Sequence, residues 1–593
     1  MGMLNFMRPE LAHLDARTRA ALARKIKNQL PSADGPTADH DHDVVIIGGG
    51  VAAMGLALQL RDKRPDIRVL IIEPKSYPLA EITHTVGEST VEISAHYLRE
   101  TLGLGDHLSA AHLRKMGLRM FFSDGANTDI ASRMELGGSS FVPQVTYQID
   151  RGRLENELHG RCLAAGVEIR CGRVRSVELA LNPSVVVYQT ETAAVEVTSR
   201  WVIDASGRNR TLPRQLDLKL TNEHHCNAAW LRVATEIDIN TWSDDPGYHS
   251  RLVEGDRAMS TNHLMGEGYW VWLIRLGSGA TSVGIVADPA LHPFDGFNTL
   301  DKAKAWLSEH EPQCAAVLAE HDDQIMDFRV MKKYSHGVSK VYDGRQRWGL
   351  TGDAAIFLDP LYSSGLDLVA IGNGLITDLI HREMAGEDVT ARATVSDTLF
   401  RSLTEMWLAI YQDQYAVMGT PAVMSAKVIW DIGFYWGFIG LLYMNDRYVR
   451  LTDDPEFVPQ LDGLIALSNR MQKFFREWSA VEDSAATVPF LDLYAPLNFM
   501  VTLHHAMMEA RPDFDTRFAA NARLLRQIAG QLVETVLAAK STAFDDDRVM
   551  RQVQEWQRDG LLRELRNTYR REQGTDPIIG EWIVTRSPAL QAG

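Results

Sequence analysis

Apolar residues fall into three textures along the chain. Val44 to Ile47 is a continuous apolar run that stops at Gly48-Gly49-Gly50 and opens into an alanine- and leucine-rich helix. A second run, Val69 to Ile72, ends at Glu73. Strand, tight turn, helix and strand at this length make a parallel crossover. From about residue 110 to 330 the texture becomes many short β-rich runs, such as SVVVYQT and WVWLIRL. From about residue 391 it turns helical and glycine-poor, as in RFAANARLLRQIAGQLVETVLAAK. The expected class is α/β, a Rossmann-type domain with an intercalated β-sheet substrate domain and a mostly helical C-terminal region. Ahead of it, Leu11, Leu14, Leu22 and Ile26 recur at roughly helical spacing, and residues 31–42 read as a Pro- and Gly-bearing linker.

Ile432 to Met444 is the most apolar stretch, thirteen residues without a charge. A membrane span needs about 20, and Lys427, Asp431 and Asp446 bracket this run, so a buried helix or pocket wall is expected. No secretory signal is visible near the N-terminus, and Cys162, Cys171, Cys226 and Cys314 are too few to frame a chain of 593 residues; a cytoplasmic protein is expected. With 45% hydrophobic residues the chain can bury enough surface to fold. Its formal charge of -16 excludes general nucleic-acid binding.

Gly48-Gly49-Gly50-Val51-Ala52-Ala53 fits the G-x-G-x-x-G/A fingerprint of dinucleotide sites. Gly48 permits the turn, Gly50 lets backbone approach a pyrophosphate, and Ala53 lets helix pack on strand. Glu73, 23 residues after Gly50, is placed to accept ribose hydroxyls. NAD and FAD are not separated by this unit alone. The segments Trp201 to Arg210 and Gly349 to Asp367 decide for FAD: Gly352-Asp353 puts a carboxylate beside a ribityl chain, and Ser363-Ser364-Gly365 leads into a helix whose amides face the ring.

This spacing resembles the FAD monooxygenases of para-hydroxybenzoate hydroxylase type and, within them, the flavin-dependent halogenases of the phenol and pyrrole branch. Val86-Gly87-Glu88-Ser89 resembles the family's G-E-S/A segment. Phe357 to Gly365 matches F-x-x-P-x-x-S-x-G at Phe357, Pro360, Ser363 and Gly365, and Trp270-Val-Trp272-Leu-Ile274-Arg275 resembles W-x-W-x-I-P without the proline. Lys115, downstream of G-E-S and entering a strand, lies about where the family has its essential lysine. The resemblance covers roughly residues 43 to 390.

Composition, periodicity and the resemblance together divide the chain into residues 1–42 (helix and linker), 43–390 (FAD-binding core, its β-rich substrate part at about 116–145 and 215–330) and 391–593 (helical, expected to cover the substrate). The resemblance implies that FAD, supplied reduced by a separate NAD(P)H-dependent flavin reductase, oxidises chloride or bromide with O2. The resulting hypohalous acid reaches Lys115 through an interior channel and halogenates a small aromatic, free or carrier-tethered. Val51, Ser89, Arg151, Asp353, Gly365 and Leu366 join the fingerprint at the cofactor. The amides of Ser364 and Gly365 hold the halide, and Trp270, Trp272, Phe357, Pro360, Tyr362 and Ser363 line the channel. Tryptophan halogenases carry a glutamate where this chain has Tyr362, so a phenolic or pyrrolic substrate is favoured.

Plainer readings stand beside these. Lys115, between Arg114 and Arg119, also suits a solvated face, the two tryptophans suit core packing, and Ser363 suits a helix cap. A flavin hydroxylase, a reductase or a non-catalytic flavin-binding protein of the same fold remain the rivals. Adjacent histidines diverge on strands and helices, so His224-His225-Cys226 and His504-His505 are not counted as metal sites, nor are His40 and His42.

Overall fold

The structure, a computed structural model, describes residues 40–571 apart from 82–85, 180–182, 452, 455, 484–487, 510–512 and 543–545. The helix expected over the first 30 residues lies outside that range, as do linker positions 31–39. His42, assigned to the linker by composition, is the first residue of strand His42–Ile47, and its ring bonds Glu168 at 2.9 Å.

Strand His42–Ile47 is buried at every position, as a parallel strand covered on both faces must be. It pairs in parallel with Val69–Glu73 on one side and Ala194–Asp204 on the other. Glu168–Cys171 and Trp348–Leu350 extend the parallel array. The parallel sense brings the C-terminal ends of these strands to one edge, where Gly48, Ala205 and Gly352 follow them. Helix Val51–Lys63 packs against both Arg151–Ala164 and Gly365–Met384. This is the Rossmann-type arrangement, with ligand space at the carboxyl edge.

The second sheet has eight strands in the order Ile325–Met331, Asn227–Val233, Thr281–Ala287, Tyr269–Arg275, Thr261–Gly266, Leu118–Phe122, Glu135–Gly137 and Phe490–Asp492. The last comes from the helical C-terminal region and pairs in parallel with Glu135–Gly137. Its three residues carry no strand period long enough to detect. Lys115 ends a three-residue strand, Leu113–Lys115, pinned antiparallel to Thr146–Gln148.

A charge cluster locks the second sheet from inside. Glu135 accepts from Arg119, from Arg257 at 2.9 Å and from Arg251 at 3.1 Å, with Glu135, Arg119 and Arg257 fully buried. Removing the carboxylate strands buried guanidiniums without a counter-charge. Glu135→Ala is expected to cost about 3–5 kcal/mol in urea unfolding; a loss under about 1 kcal/mol, the level of an exposed pair, would refute this.

The C-terminal region packs helices Pro421–Phe434, Val458–Ser479, Asn498–Met508 and Phe514–Lys540 about one another. At Tyr435–Gly440 the first of these widens into π-type turns before resuming at Leu441–Met444. The apolar run Ile432–Met444 is therefore a buried helical segment. Among the described residues no helix is long and apolar enough to cross a membrane.

Candidate active site

The turn after the first strand shows why its glycines are required. Gly48 adopts φ +98° and donates to the Ile72 carbonyl at 2.8 Å, and a Cβ there would lie 2.5 Å from the Ala205 carbonyl oxygen. At Gly50, which precedes helix Val51–Lys63, a Cβ would meet nothing within 4 Å because it points into an open cleft. Glu73 lies under the turn and accepts from the Gly49 amide at 2.6 Å and the Lys75 amide at 2.8 Å. Gly50, Val51 and Ala52 line the cleft, whereas Gly48, Ala53 and Glu73 shape it from behind.

The opposite wall carries Ser89, Arg151 and Asp353. Arg151 donates to the Val86 carbonyl and, at 2.7 Å, to Glu155, leaving its buried Nε without a partner. Burial pushes the Asp353 carboxyl above the usual range, against the pull of Arg208 and Arg151. A helix start with an open approach, an unpaired guanidinium nitrogen and a desolvated carboxylate fit an FAD molecule laid across the carboxyl edge.

The segment Phe357 to Leu366 closes one end of this cleft, and Phe357, Pro360, Ser363, Ser364, Gly365 and Leu366 all line it. Ser363 sits at φ +58°, turning the chain sharply into helix Gly365–Met384. The Leu368 amide makes the first full-turn bond, to the Ser364 carbonyl at 3.2 Å. The Gly365 and Leu366 amides therefore precede the helical ladder and lie at its positive end.

Asp359 holds this segment in place. Its Oδ2 accepts from His224 at 2.7 Å, Tyr334 at 2.6 Å and Tyr415 at 2.7 Å, and its Oδ1 accepts from the Leu361 amide at 2.9 Å. Trp270 donates to the Tyr415 hydroxyl at 3.0 Å and Trp272 to Ser282 at 3.0 Å, while both indoles line the cleft. Packing and lining are thus one role for these tryptophans. His224, Cys226 and Asp359 bring three metal-capable atoms within 4.8 Å. The direct His224–Asp359 bond and the two tyrosine donors already occupy that carboxylate, which makes the group a hydrogen-bonded frame. His225 turns away toward Glu223, and exposed His505 parts from buried His504.

A second cavity adjoins the first. Ser364 lines both. Lys115 lines the second, 2% exposed, and its ammonium donates at 2.8 Å to the Ser89 hydroxyl and at 2.8 Å to the Thr90 carbonyl. Ser89 itself belongs to the flavin-side cleft, so this one bond reaches from cavity to cavity. Burial lowers Lys115 to about 8, although Glu92 and Asp367 pull upward. Lys115 is thus not one cation on a solvated face. Tyr362 lines only the second cavity, donating at 3.0 Å to Asp431.

Sequence reasoning missed several groups here. Asp431 also accepts from Lys427 at 2.6 Å and Gln472 at 2.7 Å, all buried. A Lys and an Asp four apart inside an apolar helix were the available signal. Glu92 and Asp367 face the same cavity, with Trp407, Ile432, Phe434, Tyr435, Trp436 and Ile439 as its apolar wall. The apolar stretch is therefore both buried helix and pocket wall.

A family model described as lycopene cyclase protein matches residues 43–224. Flavin-dependent halogenase chlA of Dictyostelium discoideum is 27% identical over 461 residues, 72% of this chain and 75% of that protein. A pyrrole-2-carbonyl (peptidyl-carrier protein) chlorinase of Pseudomonas fluorescens is 27% identical over 350 residues, 56% of this chain and 73% of that protein. The solved structure of halogenase PltM in complex with phloroglucinol and FAD shares the fold, with a TM-score of 0.57 at 16% identity, covering 82% of this chain and 95% of that one. The lycopene cyclase match spans the first nucleotide-sheet strands, which the fold holds in common.

Proposed function

We propose that this chain, a relative of the flavin-dependent halogenases with their FAD-binding fold, is itself such an enzyme and halogenates a small electron-rich phenol or pyrrole. The observation that carries the reading is the pairing of the two cavities: Ser364 lines both, and Lys115 in one bonds Ser89 in the other. Bound reduced FAD supplies, with O2, the chemistry that oxidises halide to hypohalous acid. The chain's own groups do the rest. The Ser364 and Gly365 amides, with Leu366 beside them, offer a small anion site at a helix start. Asp359 fixes that turn, and Trp270 and Trp272 keep its surroundings dry. Lys115 receives the oxidant by hydrogen bond or as a haloamine and presents it to the aromatic ring.

The sequence carries one dinucleotide fingerprint, so reduced flavin is taken from a separate NAD(P)H-dependent reductase. The substrate is free or carried on a protein, as the pyrrole-type relative's name indicates for that enzyme. The test supplies FADH2, O2, bromide and resorcinol to the purified protein. A brominated ring is the expected product; a ring hydroxylated without bromine, or unchanged, overturns the reading.

The acid–base state of Lys115 adds a second expectation. Because burial holds it near 8, its neutral fraction grows as pH rises through that value. Single-turnover transfer of halogen to a fully ionised phenol should climb through pH 8 and level about one unit above it, measured by quenched flow. A rate falling over the same range would show that the ammonium form is the competent one.

A further inference from the structure

Three carboxylates face the substrate cavity, and two are engaged by the protein. Asp367 accepts from the Ser94 amide at 2.8 Å and the Tyr435 hydroxyl at 2.8 Å. Asp431 accepts from Lys427, Gln472 and Tyr362. Glu92, which opens the short helix Glu92–His96, differs from both. It is 8% exposed and lines the cavity, and among the described residues its carboxylate meets its own backbone amide but no side-chain donor within normal hydrogen-bond distance. The donor facing it is the Trp436 indole, whose Nε1 is likewise buried and without a partner at that distance. A buried carboxylate and a buried N–H left open on the same apolar cavity mark a place where a ligand supplies the missing donor and acceptor.

Lys115 lies in the same wall, near enough for its charge to act on Glu92. Cation and open carboxylate thus flank a cavity otherwise walled by Trp407, Ile432, Phe434 and Ile439. An apolar ring bearing one acidic hydrogen fits these three features together: ring on the apolar wall, acidic hydrogen on the carboxylate, reactive carbon toward the amine.

We infer that Glu92 is the catalytic base of this site, and that it selects phenols by accepting their O–H. The inference rests on the proposed halogenase reading. In the reaction the ring's electron pair forms the C–X bond as the X–O bond of hypohalous acid breaks. The phenolic proton passes to Glu92 and on to the departing hydroxide, which leaves as water. The ring C–H proton then returns through the same carboxylate to the ring oxygen, restoring aromaticity and an ionised Glu92. Burial raises the basicity of Glu92 against the opposing pull of Lys115, and Asp367, Tyr435 and Tyr494 are the other titratable groups whose charges meet it.

Calorimetry on the FAD-loaded protein with resorcinol and its dimethyl ether tests the contact without turnover. A charge-assisted bond predicts at least about 10-fold tighter binding of resorcinol by the wild type, a preference lost in Glu92→Gln and partly kept in Glu92→Asp. In turnover, Glu92→Gln should brominate resorcinol about 100-fold more slowly, with reduced-flavin oxidation retained. Equal preference and rate in Glu92→Gln and wild type overturn the inference and leave the halogenase reading intact. A wild type that shows the Glu92-dependent preference but never brominates keeps Glu92 as the phenol contact, overturns its role as base, and overturns the halogenase reading. Loss of brominated product with the binding preference intact in Glu92→Gln overturns the contact.

Discussion

With a dissolved trapping reagent in excess to consume any free hypohalous acid, Lys115→Ala should lose brominated product by about 1000-fold, the upper part of the range for a positioned catalytic group, while oxidation of reduced flavin continues. The reason is where the ammonium sits. It lies in the substrate cavity, and its bond to Ser89 points at the flavin-side cleft without entering it. Alanine therefore removes the receiver of the oxidant and leaves the cofactor walls untouched. Hypohalous acid should still form and escape, detectable with a dissolved trapping reagent such as a reactive diketone. Lys115→Arg should not rescue the activity, because a guanidinium stays protonated and cannot act as a neutral amine. Product formation near wild-type level in Lys115→Ala would remove the lysine from the mechanism, and loss of flavin oxidation would show that the residue serves the cofactor cleft.

The second large effect is expected at Gly50. A valine there adds carbons into the open cleft where a Cβ now meets nothing, so the fold tolerates it and the cofactor does not. Blocking two amide–phosphate bonds of about 1.5 kcal/mol each weakens FAD about 100-fold. Flavin fluorescence titration should show that loss with an unchanged Tm. Gly48→Ala should behave in the opposite way. Its Cβ would lie 2.5 Å from the Ala205 carbonyl, at a φ of +98° that other residues avoid, so stability falls before affinity can be measured. Equal thermal penalties at both positions would contradict the distinction between a turn glycine and an approach glycine.

The parts of the fold legible in the sequence were those written as local pattern. Val44 to Ile47 announced a strand buried on both faces, and the glycine turn announced the site at its end. Phe357 to Gly365 announced a second wall of the same site because its residue types recur at fixed spacing. Strand Phe490–Asp492 stayed hidden, since three residues carry no period and its partner Glu135–Gly137 lies some 350 positions away. The substrate cavity was hidden for the same reason: Glu92, the pair Tyr362 and Asp367, and Asp431 come from three segments that only tertiary packing assembles. Lys427 and Asp431 were visible as charges beside an apolar run, but which way they turned depended on Gln472 from another helix. His42 shows the reverse limit, where polar composition hid the start of a strand.

The wall that Ser364 shares between the two cavities has an evolutionary consequence. In the proposed mechanism it separates the cavity where oxidant is generated from the cavity where it is consumed. Changes at Trp407, Ile410, Phe434 or Ile439 can re-tailor the accepted ring without retuning flavin electronics. Such a protein can diversify its products through the C-terminal part of that wall, while Glu92, Lys115, Tyr362 and Asp367 from the first 390 residues complete the same cavity.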